Sequence, residues 1–193
     1  MSDIPRSPAR FFGEYVPAEL AAVGSSFPER SSPGAVVFEV GTDAWSLRLQ
    51  GGKVVVDSGV ADDTLLRLAV TPEDFEPVIV GGAERLAATG GPDQKLVAAR
   101  ALSIDVERAR MLRETGGTVA LVLARGASTH RLVVGIGPAK PKLDAPDCEI
   151  ECALDDLFAI QSGAANPFQL LLDGKLRIKG NAELALAVGA ALG

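Results

Sequence analysis

The sequence predicts an α+β protein with two similar units, each a mostly antiparallel sheet with helices on one face. The first observation is a run of short alternating strands, AVVFEV, AWSLRL, KVVVDSG and DTLLRLAV, separated by glycine-containing turns typical of hairpins. The second is a set of helices with clear starts, and the third is a return of the same order after Gly116. Alternating strands followed by helices favour sheets covered on one side.

The first long helix is predicted after the fourth strand, in TPEDFEPVIVGG. Thr71 suits the cap and Pro72 the first helical position, and Glu73 and Asp74 place acidic groups where the helix dipole favours them. Phe75, with Val78 and Ile79, would form its apolar face. The other helix caps are predicted at Asp105 and Asn181.

The second set of elements follows the first in order. Strands TVALVLA, HRLVVGI, KPKLDA and CEIECAL precede the helix DDLFAIQSG, the short helix NPFQLLLDG, the strand KLRIKG and a last helix. In this alignment Phe75 matches Phe158, and the segment ALSID, a predicted strand, matches KLRIK. A duplication predicts units at 11–114 and 115–193, arranged as a pseudo-dimer. The alternative is coincidence, since hairpins followed by helices are common.

Composition narrows the classes of partner. The formal net charge is −6 and aromatic residues make up 5%, whereas nucleic-acid surfaces need clustered cations and often stacking rings. We therefore expect no nucleic-acid partner. The N-terminus has no apolar leader, and no uncharged run is long enough to span a bilayer. These features favour a cytoplasmic protein without a transmembrane segment.

The two cysteines, Cys148 and Cys152, lie in one predicted strand. Four residues along a strand separate them by about 13 Å, too far for a disulfide. Both are expected to be free and buried. With one histidine and no CxxC motif, no metal site is predicted.

No catalytic group is predicted, and the protein is expected not to be an enzyme. His130 could act with Ser128 or Cys148, but no third partner is evident. The acidic pairs, such as Asp62 with Asp63 and Asp155 with Asp156, lie where strands end or helices begin and fit capping. No cofactor is expected.

The C-terminal segment is rich in apolar residues at regular spacing. They could be ordinary core or could line a ligand site, and they are Phe168, Leu171, Leu172, Leu176, Ile178, Leu184 and Val188. The main basic concentration is Lys140, Lys142, Lys175, Arg177 and Lys179. These cations fit either a solvated edge or contact with a phosphate or carboxylate head group.

The segment GKLRIKGNAELALAV resembles the C-terminal end of sterol carrier protein type 2 domains, which have a Gly-Lys-Leu-x-Ile-x-Gly-Asn/Asp stretch before a small-residue helix. ECALDDLFAIQSGAANPFQLLLDGKL extends the resemblance upstream. The first unit is similar in AWSLRLQGGKVVVDSGVADDTLLRLAVTPEDFEPVI but lacks both glycines at its end. The resemblance implies an apolar tunnel for a fatty acid, acyl-CoA or sterol, lined by Phe158 and the seven apolar residues above.

Two functions follow from that resemblance. The first is a non-enzymatic lipid-binding or lipid-carrying protein. The second is a scaffold or accessory subunit that binds a protein partner and presents an apolar substrate, since bacterial enzymes carry domains of this family and stand-alone relatives assist quinone biosynthesis. A bacterial origin is expected on the same ground.

Overall fold

The computed structural model describes residues 4–21, 31–89, 102 and 104–192. Its centre is one sheet of eight strands in the order β3-β2-β1-β4-β6-β5-β7-β8. The strands are β1 (Ala35–Val40), β2 (Asp43–Gln50), β3 (Lys53–Ser58), β4 (Thr64–Val70), β5 (Gly117–Arg125), β6 (Ser128–Ile136), β7 (Cys148–Ala153) and β8 (Arg177–Gly180).

Within the described residues, six helical segments accompany the sheet. The bounds are α1 (Pro8–Arg10, Phe11–Tyr15 and Val16–Ala21), α2 (Pro72–Asp74, Phe75–Val80 and Gly81–Thr89), α3 (Val106–Thr115), α4 (Leu154–Gln161), α5 (Pro167–Leu172) and α6 (Ala182–Leu192). The middle pieces of α1 and α2 are π-helical. The predicted caps are confirmed, because the backbone N–H groups of Asp74, Arg108 and Glu183 donate to Thr71, Asp105 and Asn181.

We call the described residues up to 89 the first half and residues 104–192 the second half. Their strands are arranged alike. In the first half β1 pairs antiparallel with β2 and parallel with β4, and in the second half β5 pairs antiparallel with β6 and parallel with β7. The outer strands β3 and β8 pair antiparallel with β2 and β7.

The two halves share one sheet, because β4 and β6 pair antiparallel in a register that places Leu68 opposite Val134. Five of the seven pairings are antiparallel and two are parallel, so the sheet is mixed. The expected picture of a separate sheet in each unit is therefore corrected to a single sheet that spans both.

Two predicted strands are wrong. KPKLDA, residues 140–145, is a loop, because both edges of β6 are already occupied by β4 and β5. The loop crosses β6 so closely that a Cβ on Gly135 would lie 2.5 Å from the carbonyl oxygen of Ala139. In ALSID, the described residues Leu102 and Ile104 belong to no strand but are buried in the core.

The core lies on one face of the sheet. The register aligns Val36, Leu66, Val134, Val119 and Cys148 on that face across both halves, and all five belong to one buried cluster that also includes helix residues. On the opposite face, side chains form ion pairs such as Arg67 with Glu39 and Arg131 with Glu149. The helices therefore cover one face, as predicted.

Candidate functional site

The helix-covered side of the second half brings apolar side chains from three strands together. Leu121 lies beside Ile150 and Ile150 beside Ile178 in the registers of β5, β7 and β8, with Leu123 beside Cys152. Helices α4 and α6 pack over β5 and β7. We call this space the second-half interior.

The structure places four of the eight predicted site residues at this interior. Phe158 of α4, Leu176 before β8 and Leu184 of α6 are buried in the core cluster, and Ile178 is half-buried against it. Leu184 packs closely on β5, since a Cβ on Gly117 would lie 2.9 Å from its methyl carbons.

Three predicted residues lie elsewhere. Phe168, Leu171 and Leu172 of α5 are 66%, 40% and 81% exposed. The buried residue of α5 is Leu170, which the sequence reasoning missed. Its position follows from the turn after the helix, where the backbone N–H groups of Lys175 and Leu176 both donate to the Leu170 carbonyl. Val188 lies on α6, and its side chain is outside the described part of the structure.

Both cysteines face the second-half interior, and the prediction that they are free and buried is confirmed. Burial raises the pKa of the Cys148 thiol. Burial, with a smaller contribution from the Asp156 carboxylate, raises the pKa of the Cys152 thiol to about 11. Thiols with raised pKa are weak nucleophiles at neutral pH, so both act as small apolar side chains.

A polar cleft of about 610 Å³ opens where β5 and β7 begin. Its lining includes Asp147, Asn181, Glu183 and Leu184. The hydroxyl of Thr118 donates to the Asp147 carboxylate at 2.8 Å, as does Lys142 at 3.0 Å. These hydrogen bonds lower the pKa of Asp147, which stays ionised.

A second cleft, of about 310 Å³, opens at the opposite ends of these strands, and we call it the basic cleft. Its lining residues Val122, Ala124 and Ala153 project from the face without helices, as the strand registers show. Lys175 and Arg177 contribute the cations. Neither cleft is an enclosed apolar tunnel.

His130 has a partner that the sequence did not predict. Its Nδ1 lies 3.0 Å from Asp74, whose other carboxylate oxygen accepts from the backbone N–H of Arg131 at 3.2 Å. The pair links α2 of the first half to β6 of the second. Since Ser128 is exposed on the hairpin and Cys148 lies in β7, no nucleophile joins the pair. Within the described ranges no three His, Cys, Asp or Glu side chains are grouped to hold a metal.

The corresponding space in the first half is filled by aromatic rings. Phe12 of α1 stacks on Trp45 with ring centroids 4.9 Å apart, and Phe11 meets Phe75 edge-to-face at 5.6 Å. Phe12 also contacts Phe38 at 5.1 Å. The N-terminal segment therefore packs into the first half as part of its core.

Comparison with models of known protein families gives a match for the second half of the chain. Residues 99–193 match the model of the SCP-2 sterol transfer family. The matched region begins before α3, which the predicted boundary at residue 115 had assigned to the first unit. A comparison with curated proteins gave no match. In the described parts of the chain, no helix combines the length and apolar character required to cross a membrane.

Several solved structures are similar to part of the chain. The palmitated sterol carrier protein 2-like 2 of Aedes aegypti is 21% identical, with 51% of this chain and 88% of that chain covered and a TM-score of 0.41. Sterol carrier protein 2 of Yarrowia lipolytica in its apo form is 26% identical, with 45% and 74% covered and a TM-score of 0.36. The family match alone identifies residues 99–193 as a domain of the SCP-2 sterol transfer family.

Proposed function

We propose that this protein is a non-enzymatic lipid carrier that holds an acyl chain or sterol in the second-half interior. The observation that carries the proposal is the family match over residues 99–193, which covers every element bordering that interior. Its apolar surfaces, from Leu121 on β5 to Ile178 on β8, suit a hydrocarbon ligand, since burying each methylene contributes about 0.8 kcal/mol.

Helix α5 is the element that a ligand would displace most easily. Leu170 is its only buried side chain, and regions with few buried apolar contacts open at low free-energy cost. Movement of α5 would expose Leu176 and Ile178 to the ligand. Phe168, Leu171 and Leu172 would then meet the lipid at the mouth of the site, and Val188 stays a proposed contact from α6.

The test uses one matched pair of substitutions at the two edges of the sheet. Ile178 on β8 and Val56 on β3 are both half-buried and both face the helices. We expect Ile178→Asn to weaken binding of a fluorescent fatty acid by about tenfold, and Val56→Asn to leave it unchanged. The two variants should lose similar stability, about 1–3 kcal/mol, because each buries a polar amide.

Native mass spectrometry of freshly purified protein provides the independent readout, since a carrier should retain co-purifying lipid. Equal loss of fatty-acid binding in both variants would contradict the location of the site. Absence of binding by fatty acid, acyl-CoA and sterol at micromolar concentration would contradict the carrier function itself. It would favour the accessory-subunit function, with the exposed residues of α5 as the contact for a protein partner.

We also propose that the halves are copies of one unit, with the boundary near residue 99 rather than 115. The shared pairing of β1 with β2 and β4, and of β5 with β6 and β7, supports this duplication. With the boundary near residue 99, α3 belongs to the second copy and precedes β5, just as α1 precedes β1 in the first copy. If superposition of an experimental structure aligned β1 with a strand other than β5, duplication would be refuted.

A further inference from the structure

We propose that α5 and the basic residues that follow it form a docking surface for anionic phospholipid membranes. We call this surface the docking tip and define it by Phe168, Leu171, Leu172, Lys175 and Arg177. The proposal concerns where the protein meets a membrane, and it does not depend on the second-half interior holding a lipid.

The apolar part of the docking tip is a single helix face. Phe168, Leu171 and Leu172 follow the i, i+3, i+4 spacing that places side chains side by side on a helix. Leu172 is 81% exposed and Phe168 66% exposed, whereas Leu170 anchors the opposite side of the helix in the core. An aromatic ring and two leucines held outward on a short anchored helix suit insertion into the boundary between head groups and acyl chains.

The charges next to this face identify the class of membrane. Lys175 and Arg177 are exposed and form no ion pair among the described residues, whereas Lys179 on the same strand is paired with Glu151. The nearest carboxylate in sequence, Asp173, accepts a hydrogen bond from Gln169 at 2.8 Å. Two unpaired cations next to an apolar tip match the phosphate groups of a membrane surface.

The overall charge of the protein also indicates which surface would face an anionic membrane. The chain carries a formal net charge of −6, so most of its surface would be repelled by an anionic bilayer. A surface with unpaired cations is the one that such a bilayer attracts. Lys175 and Arg177 also line the basic cleft together with Glu151. Glu151 lies opposite Arg177 in the strand register and is ion-paired with Lys179.

The experiment measures binding to vesicles of equimolar phosphatidylcholine and phosphatidylglycerol, with pure phosphatidylcholine vesicles as reference. We expect the unchanged protein to sediment with the anionic vesicles and to be released by salt. Phe168→Ser with Leu172→Ser should weaken this binding at least about tenfold. The matched control is Val106→Ser with Met111→Ser on α3, where the native side chains are 76% and 53% exposed; it should bind normally.

The roles of Lys175 and Arg177 are tested by charge reversal, with a matched control variant. Lys175→Glu with Arg177→Glu should abolish the preference for anionic vesicles. Lys53→Glu with Lys140→Glu changes the net charge equally at exposed positions away from the tip and should keep most of it. A preference lost equally in both variants would show that only net charge matters and would overturn the proposal.

A spectroscopic probe reports the depth of insertion. Because Cys148 and Cys152 are buried, a thiol-reactive fluorophore will label Leu172→Cys selectively in the folded protein. Its emission should shift to the blue with anionic vesicles, and the same label at Met111→Cys should not respond. No shift at position 172, equal binding to neutral vesicles, or self-association through the tip in place of vesicle binding would each refute the proposal. The Lys175→Glu with Arg177→Glu variant leaves every proposed lipid-contacting residue unchanged, so loss of its vesicle preference with normal binding of soluble fatty acid separates docking from the carrier function.

Discussion

The two halves have the same central strand pairing but fill the space beneath their helices differently. In the first half Phe11 and Phe12 of α1 pack against Phe38, Trp45 and Phe75. Among the described side chains of the second half, Phe158 is the only aromatic residue in the core; aliphatic side chains and two thiols provide the rest. Interlocked rings leave no space for a ligand without loss of packing, whereas flexible aliphatic side chains can rearrange. This difference in packing is the reason why we propose the second half, and not the first, as the lipid-binding part.

Among substitutions that distinguish the two halves, Phe12→Ala should have the largest effect on stability. Phe12 is 1% exposed, and its loss removes a stacked ring and leaves a cavity, so the free energy of unfolding should fall by about 3–5 kcal/mol. Fatty-acid affinity of the protein that remains folded should be unchanged. Urea unfolding followed by circular dichroism measures the first quantity.

The control for that variant is Phe168→Ala, which removes an exposed ring and should change stability by less than about 0.5 kcal/mol. Weaker fatty-acid binding by folded Phe12→Ala would show that the first half also binds lipid, and the proposed division between the halves would fail.

A smaller loss of stability is expected from the contact between Asp74 and His130, which joins the two halves. Asp74→Ala leaves the Arg131 N–H and His130 without their acceptor. Because these groups are partly buried, the free energy of unfolding should fall by about 1–3 kcal/mol. Asp74→Asn keeps one acceptor and should cost less. Equal losses in the two variants would mean that the contact contributes by packing alone.

Two probes test whether the halves of the unchanged protein unfold together. Trp45 fluorescence reports the first half, and reactivity of Cys148 and Cys152 reports the second. Because the sheet is continuous through β4 and β6, the two transitions should coincide in the unchanged protein. Separate transitions would show that the shared sheet does not make one cooperative unit.

The smallest effect concerns alkaline pH and is specific to the second half. The pKa of Cys152 is raised from 9.0 to about 11 in the folded state, so its contribution to stability is complete below pH 9 and is lost as pH rises through 11. By pH 10 the loss should be about 1 kcal/mol. Cys152→Val should flatten this dependence.

Urea unfolding at a series of pH values measures how the free energy of unfolding depends on pH. Cys148, whose pKa is also raised, acts in the same direction. In the first half, burial raises the pKa of Tyr15 above its ordinary 10.0, so its contribution is lost at higher pH. If the free energy of unfolding of Cys152→Val depended on pH as strongly as that of the unchanged protein, the Cys152 thiol would not have a different pKa in the folded state.

Much of the local structure was predictable because it depends on neighbouring residues. Thr71 and Pro72 define the start of α2, and Asp105 that of α3, since a cap acts within one helical turn. The alternation in CEIECAL predicted both the strand and the burial of Cys148 and Cys152. The boundary between the two units stays a prediction, and the family match begins at residue 99, ahead of the predicted boundary at 115.

The candidate site was predictable only in part. Leu176, Ile178 and Leu184 from the apolar spacing, and Phe158 from the family resemblance, pack in or against the core at the second-half interior; that they line a ligand site stays a prediction. Three consecutive leucines in α5 cannot show by sequence which one is buried. The turn that ends the helix selects Leu170 and leaves Leu171 and Leu172 outside.

The sequence alone predicted most of the strands, the helix starts at Thr71, Asp105 and Asn181, the free thiols and the family resemblance of the C-terminal segment, since these depend on short-range chemistry and side-chain periodicity. Tertiary structure decided that β4 pairs with β6, that residues 140–145 are not a strand, and that Asp74 meets His130. Each depends on which strand edges and surfaces remain free after distant segments have packed. Spacing along the chain does not encode that competition, because a strand edge accepts only one neighbour.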